Sequence, residues 1–190
     1  RSFDQHYPVT WDGYGNTKGQ CEWANRIADD WEVNGVQYGT DQLKNIVNTL
    51  KSNPYDRRMV CSAWNPNQMH LMALPPCHYS WGVVVYGDKL NLHWNQRSVD
   101  SSHGLPCNIA SYGLLMMLLC EESGLQPGEL VGKLEDCHLY DNTIGPMQEL
   151  VSREEKELPQ MKIKRKTDGK FSIFDWEYTD AVSYTHLRAH

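Results

Sequence analysis

Leu43, Ile46, Val47 and Leu50 recur at intervals of three and four, the spacing of one face of an α-helix. Thr40 or Asp41 can cap its start, and Asn53-Pro54 stops it. Met59 to Trp64 and the valine-rich Trp81 to Tyr86 then read as strands. Gly87-Asp88 marks a hairpin turn into Leu90 to Gln96. In that strand Leu90, Leu92 and Trp94 alternate with Asn91, His93 and Asn95, so one face is buried and the other polar. Asn108 to Glu122 reads as a helix ended by Gly124, and its apolar run Ile109 to Cys120 predicts burial nearly all round. Val131 to Tyr140 reads as another strand, Gly145 to Arg153 as a helix, and Met161 to Lys164 and Phe171 to Phe174 as late strands. Helices and strands in this irregular order predict an α+β fold rather than a βαβ repeat.

The chain has 190 residues, 40% of them hydrophobic, enough for one domain with a real core. Eighteen Lys+Arg against 24 Asp+Glu give a formal charge of −6, which argues against a general nucleic-acid surface. The cysteines at 21, 61, 77, 107, 120 and 137 form no Cys-x-x-Cys pair and no zinc spacing, so no metal is expected. Scattered thiols suit a reducing cytoplasm. The start of the chain shows no secretory pattern, and the run Ile109 to Cys120, broken by Ser111 and Gly113, is too short to span a bilayer.

Cys77-His78 sets a thiol beside an imidazole after two stiffening prolines, Pro75-Pro76, and Arg97 arrives from the following strand. A cysteine attacks as its thiolate, which a neighbouring cation favours. On its own the dipeptide is as well explained by a buried cysteine next to an unrelated histidine. An ordered series surrounds it: Asp56-Arg57-Arg58-Met59-Val60, Ser62-Ala63-Trp64-Asn65-Pro66, Ala73 to His78, and Gln96-Arg97-Ser98-Val99-Asp100. Gly104-Leu105-Pro106-Cys107-Asn108-Ile109-Ala110-Ser111-Tyr112, Asp136-Cys137-His138-Leu139-Tyr140 and Leu150-Val151-Ser152-Arg153-Glu154 continue it. In this order the segments resemble the thymidylate synthase family, which also includes deoxypyrimidine monophosphate hydroxymethylases.

The resemblance implies a large twisted mixed β-sheet covered on one face by helices, with two such sheets packed back to back in a homodimer. It implies that Cys77 adds to uracil C6, with His78 as a polar neighbour and Asn108 reading the base. An amide can answer both N3–H and O4 of uracil, whereas a carboxylic side chain suits cytosine; Asn108 also fits a helix N-cap. Gln96, Arg97, Ser98 and Asp100 would contact the substrate side, with Arg97 and Ser98 on the phosphate and Arg57 and Arg58 reaching it from the partner subunit. His138 and Tyr140 would hold the sugar hydroxyl. Asp100, His103, Gly104 and Cys107 would face the cosubstrate, 5,10-methylenetetrahydrofolate.

The expected reaction is reductive methylation of dUMP to dTMP; the alternatives are a dUMP hydroxymethylase and a catalytically impaired nucleotide-binding homologue. His103 and Cys107 depart from the family's apolar residues on the folate side, Thr143 from its histidine, and Glu135 from its glycine. Residues 1–181 are expected to form one N-terminally incomplete domain and 182–190 a non-native tail. Tyr14-Gly15 is a weak match to the family's N-terminal motif.

Overall fold

The structure, a computed structural model, describes residues 31–33, 36–38, 41–66, 69, 74–155, 158, 160–163, 171–175 and 181–184. Tyr14-Gly15 and residues 185–190 lie outside them. A short hairpin, β1 (Trp31–Val33) and β2 (Val36–Tyr38), precedes helix α1 (Gln42–Ser52). Then come β3 (Val60–Ser62), β4 (His78–Tyr86), β5 (Lys89–Asp100), α2 (Gly104–Ser123) and β6 (Gln126–His138). A 3-10 turn at Asp141–Thr143 leads into α3 (Ile144–Val151), and β7 (Gln160–Ile163) pairs antiparallel with β8 (Ala181–Tyr184).

The main sheet has the order β3-β4-β5-β6, antiparallel except for the parallel pair β5–β6. A parallel neighbour requires a crossover, and α2 supplies it. The fold is α+β as expected, with one βαβ unit set inside it. α1 and α2 cover one face. Their Leu43, Ile46, Val47, Leu50, Tyr112, Met116 and Leu119 meet Val83, Val85, Leu90, Leu92 and Trp94 of the sheet. On the other face Val60, Tyr86 and Val131 stay exposed. α2 is long and apolar enough to cross a membrane by length and composition; here it is the helix that closes the core.

Most expected elements are found, with shifted ends. Asp41 caps α1 by accepting from the Lys44 N–H at 2.9 Å. Gly124 ends α2 at φ 73°, a left-handed position that glycine adopts without a side-chain clash. α2 starts at Gly104 rather than Asn108, because Pro106 falls within the first turn, where no backbone N–H is needed. Asn108 is therefore not its cap; His103 holds that place. Nor is α2 buried all round, since Pro106, Cys107, Ile109 and Ala110 are exposed.

β6 begins at Gln126, earlier than expected, despite Pro127 and Gly128. Pairing is irregular there, and Asn91 Oδ1 takes the Glu129 N–H at 2.6 Å in place of a regular ladder bond. Phe171 to Phe174 is not a strand. The Ile173 N–H goes to Glu122 Oε2 at 2.8 Å, and Ser172 Oγ accepts from the Phe174 N–H at 3.3 Å in a turn. The same Glu122 carboxylate pairs with Lys51, tying α1, α2 and this segment together.

Gly132 lies level with Trp94 across the parallel pair, and a Cβ there would fall 2.4 Å from the indole. Gly132→Ala should therefore lower unfolding stability by about 1–3 kcal/mol, the usual range for overpacking. A urea titration measures it, and an unchanged midpoint would mean that the Trp94 ring is not confined.

Candidate active site

Strand directions gather the chemistry at one end of the sheet. β4 begins at His78 opposite Gln96, while β5 and β6 finish together with Asp100 level with His138. α2 leaves from that same end after a turn through Ser101 to His103. Sheets with parallel strands place ligand crevices outside the carboxyl ends of those strands. Cys77, His78, Gln96, Arg97, Ser98, Asp100, His103, Gly104, Cys107, Asn108 and His138 belong to these segments.

Arg97 fastens the segment that carries Cys77. Its Nε donates to the Pro76 carbonyl at 2.9 Å and its Nη2 to the Pro75 carbonyl at 2.7 Å. Its backbone N–H donates to the Cys77 carbonyl at 2.9 Å. The two prolines leave these carbonyls in a stiff stretch, and the guanidinium fork pins them. Arg97 Nη2 also stands 4.0 Å from Cys77 Sγ. Burial nevertheless pushes the Cys77 thiol up, and Arg97 offsets only part of that rise. The cation acts in the expected direction, but desolvation outweighs it.

Asn108 sits in a run of hydrogen bonds whose two ends meet in a ring stack. On α2 it continues the buried stripe of Tyr112, Met116, Leu119 and Cys120, so a polar side chain enters the core. Trp94 Nε1 donates to Gln96 Oε1 at 3.1 Å, and an indole N–H can only donate. The Gln96 amide is thereby oriented, and its Nε2 donates to the Ser98 carbonyl at 3.1 Å and to Asn108 Oδ1 at 3.0 Å. Asn108 must then turn its amino group to His78, with Nδ2 3.4 Å from Nε2. Burial holds the His78 pKa down at about 4, so the ring is neutral near pH 7. Nε2 accepts, the proton sits on Nδ1, and Nδ1 donates to the Tyr112 hydroxyl at 3.2 Å. Tyr112 stacks on Trp94 with ring centroids 5.0 Å apart and closes the circuit. Asn108 retains an Oδ1 lone pair and an Nδ2 hydrogen that the circuit does not use.

Asp100 organises the turn before α2. Its Oδ1 accepts from the Ser102 hydroxyl at 2.6 Å, the Ser102 N–H at 2.9 Å and the His103 N–H at 3.3 Å. The Ser102 hydroxyl chiefly lowers the Asp100 pKa and keeps the carboxylate charged. Oδ2 lies 3.9 Å from His103 Nδ1 and is not engaged by the turn. Gly104 fits tightly, since a Cβ there would meet Asp100 Cβ at 3.3 Å. Cys107 is exposed on the first turns of α2.

His138 closes β6, and Tyr140 lies just past the strand rather than alternating along it. Their rings still meet edge to face, with centroids 5.2 Å apart. Arg57 and Arg58 are not brought to the other residues. They precede Val60, which is level with Gly82, four residues along β4 from His78 and so about 13 Å away by strand rise. Sequence reasoning missed Trp94 and Tyr112 as members of the site. Tyr112 has a signal in retrospect, one turn beyond Asn108 on the same helix face.

Burial of His78 has a consequence for acid stability. Between pH 6.5 and about 4 the unfolded chain binds a proton on this histidine that the folded chain refuses. Stability is thus retained above the unfolded value and falls as pH drops through this window, by up to about 3 kcal/mol. His78→Gln should flatten this part of the stability–pH curve in urea unfolding; an unaltered slope would mean that the ring charges while folded.

A sequence model described as thymidylate synthase matches residues 1–189. The match takes in every segment that forms the described end of the sheet, from Cys77 to Tyr140. This chain belongs to the thymidylate synthase family.

Proposed function

We propose that this protein is a thymidylate synthase that converts dUMP to dTMP, working in the cytoplasm as a homodimer. The observation that carries the reading is the Asn108 amide, held by its circuit with one acceptor and one donor to spare. Those match N3–H and O4 of a uracil ring. Cys77, set by Arg97, adds as a thiolate to uracil C6, and the electron pair moves to O4, where Asn108 Nδ2–H stabilises the enolate. C5 is then nucleophilic. 5,10-Methylenetetrahydrofolate, when bound, supplies the one-carbon unit and the hydride. Asp100 fits this cosubstrate: its oxygen outside the turn can accept from the donor-rich pterin edge. Loss of the C5 proton to solvent and departure of Cys77 from C6 as its thiolate restore the C5–C6 double bond.

Arg97 and Ser98 are the proposed phosphate ligands within the subunit, and His138 with Tyr140 is the proposed sugar site. Arg57 and Arg58, at the far end of their own sheet, are proposed to serve the partner's nucleotide. Exposed Val60, Tyr86 and Val131 support a sheet face that a second copy covers. A dUMP hydroxymethylase is the second reading, favoured by one observation: the His103 side chain is 78% exposed beside Asp100. A polar, open folate side admits the water that would compete with hydride.

Incubation with 5-fluoro-dUMP and methylenetetrahydrofolate should leave a covalent adduct on the Cys77 peptide, read by intact mass and peptide mapping. Normal dUMP binding without an adduct would remove the covalent mechanism, and product analysis separates methyl from hydroxymethyl. Asn108→Asp should shift preference from dUMP toward dCMP by about 10-fold or more, the scale of one buried hydrogen bond changing partner. Equal kcat/KM ratios for the two nucleotides before and after would refute the base-reading role.

A further inference from the structure

Arg58 leaves its loop already gripped. Asp56 accepts from Arg58 Nε at 3.1 Å and from Nη2 at 2.7 Å, and its Oδ1 also accepts from the Arg58 backbone N–H at 2.8 Å. A carboxylate on Nε and Nη2 occupies the side edge of the planar guanidinium. The end edge, Nη1 with the second Nη2 hydrogen, faces away from it. The Arg58 side chain is 89% exposed and that of Asp56 12%, so the anchor is sheltered while the donor edge is presented to solvent. Beside the pair opens a cavity of about 420 Å³, lined by Gln42, Asn45, Thr49, Asp56, Arg58 and Val60 among others.

We propose that Asp56 is a positioning residue that holds Arg58 side-on, so that its end edge is set to receive a nucleotide 5′-phosphate from the partner subunit. This rests on the reading that Arg57 and Arg58 serve the partner's nucleotide. A long surface arginine otherwise loses much of its rotamer freedom when it captures an anion. Asp56 removes that freedom beforehand, in a fork two residues long that costs no long-range contact. The hydrogen bond from Arg58 holds the Asp56 pKa at about 2, so the anchor stays ionised throughout the range in which the phosphate is charged.

Titration calorimetry on Asp56→Asn, Arg58→Ala and the double variant tests this, using dUMP and, as a phosphate-free control, deoxyuridine. Asp56→Asn should weaken dUMP binding about 3- to 10-fold, leave deoxyuridine unchanged, and add nothing in the Arg58→Ala background. Unchanged or tighter dUMP binding in Asp56→Asn, with Arg58→Ala still impaired, overturns the positioning role alone; tighter binding would mark Asp56 as a competitor of the phosphate. Equal losses for dUMP and deoxyuridine overturn it in favour of a structural role. If Arg58→Ala binds dUMP normally, the phosphate role of this arginine falls, and the inference falls with it.

Discussion

The parallel pairing of β5 with β6 is the constraint on which the candidate site depends. Two antiparallel strands would end at opposite edges, separating Asp100 from His138. Parallel strands end together, and the crossover helix between them starts where the first strand stops. One choice of strand direction therefore brings the carboxyl ends of β5 and β6 and the N-terminus of α2 to a single edge. β4, antiparallel to β5, contributes its beginning to the same edge. That is why the prolines before Cys77 matter: they end the loop where the strand must start.

How much of this was legible in the sequence depended on whether a signal was local. The α1 stripe of Leu43, Ile46, Val47 and Leu50 and the alternation of Leu90, Leu92 and Trp94 are local, and both were read correctly. The start of α2 is ambiguous in sequence, because a proline stops a helix from within yet is harmless in the first turn, where Pro106 falls. The start of β6 is hidden in the same way, since Pro127 and Gly128 are poor strand formers and an Asn91 side chain substitutes for the missing regularity. Phe171 to Phe174 has the composition of a strand, but Glu122, distant in sequence, takes its backbone N–H. Cys77, Arg97 and Asn108 were found through ordered motifs. Trp94 as a polar anchor was not, because its alternation pattern already explained it as core.

Two arginines show the same device in different uses. Arg97 spends its side edge on the Pro75 and Pro76 carbonyls, and Arg58 spends its side edge on Asp56. In both, Nε and Nη2 make the attachment. The first attachment gives rigidity to a thiol that desolvation keeps protonated at rest. The cost of burying Cys77 thus falls on its ionisation rather than on its aim.

The circuit around Asn108 is fixed at one end and reversible at the other. Trp94 can only donate and the Ser98 carbonyl can only accept, so the orientation of Gln96 is invariant. His78 and Tyr112 differ: an imidazole has two neutral tautomers, and a phenol both gives and takes a proton. A carboxylate at position 108 would accept from Gln96 as before, while His78 moved its proton to Nε2 and Tyr112 donated to Nδ1. By relocating two protons the circuit can meet either hydrogen-bonding pattern at its centre with the same ring positions.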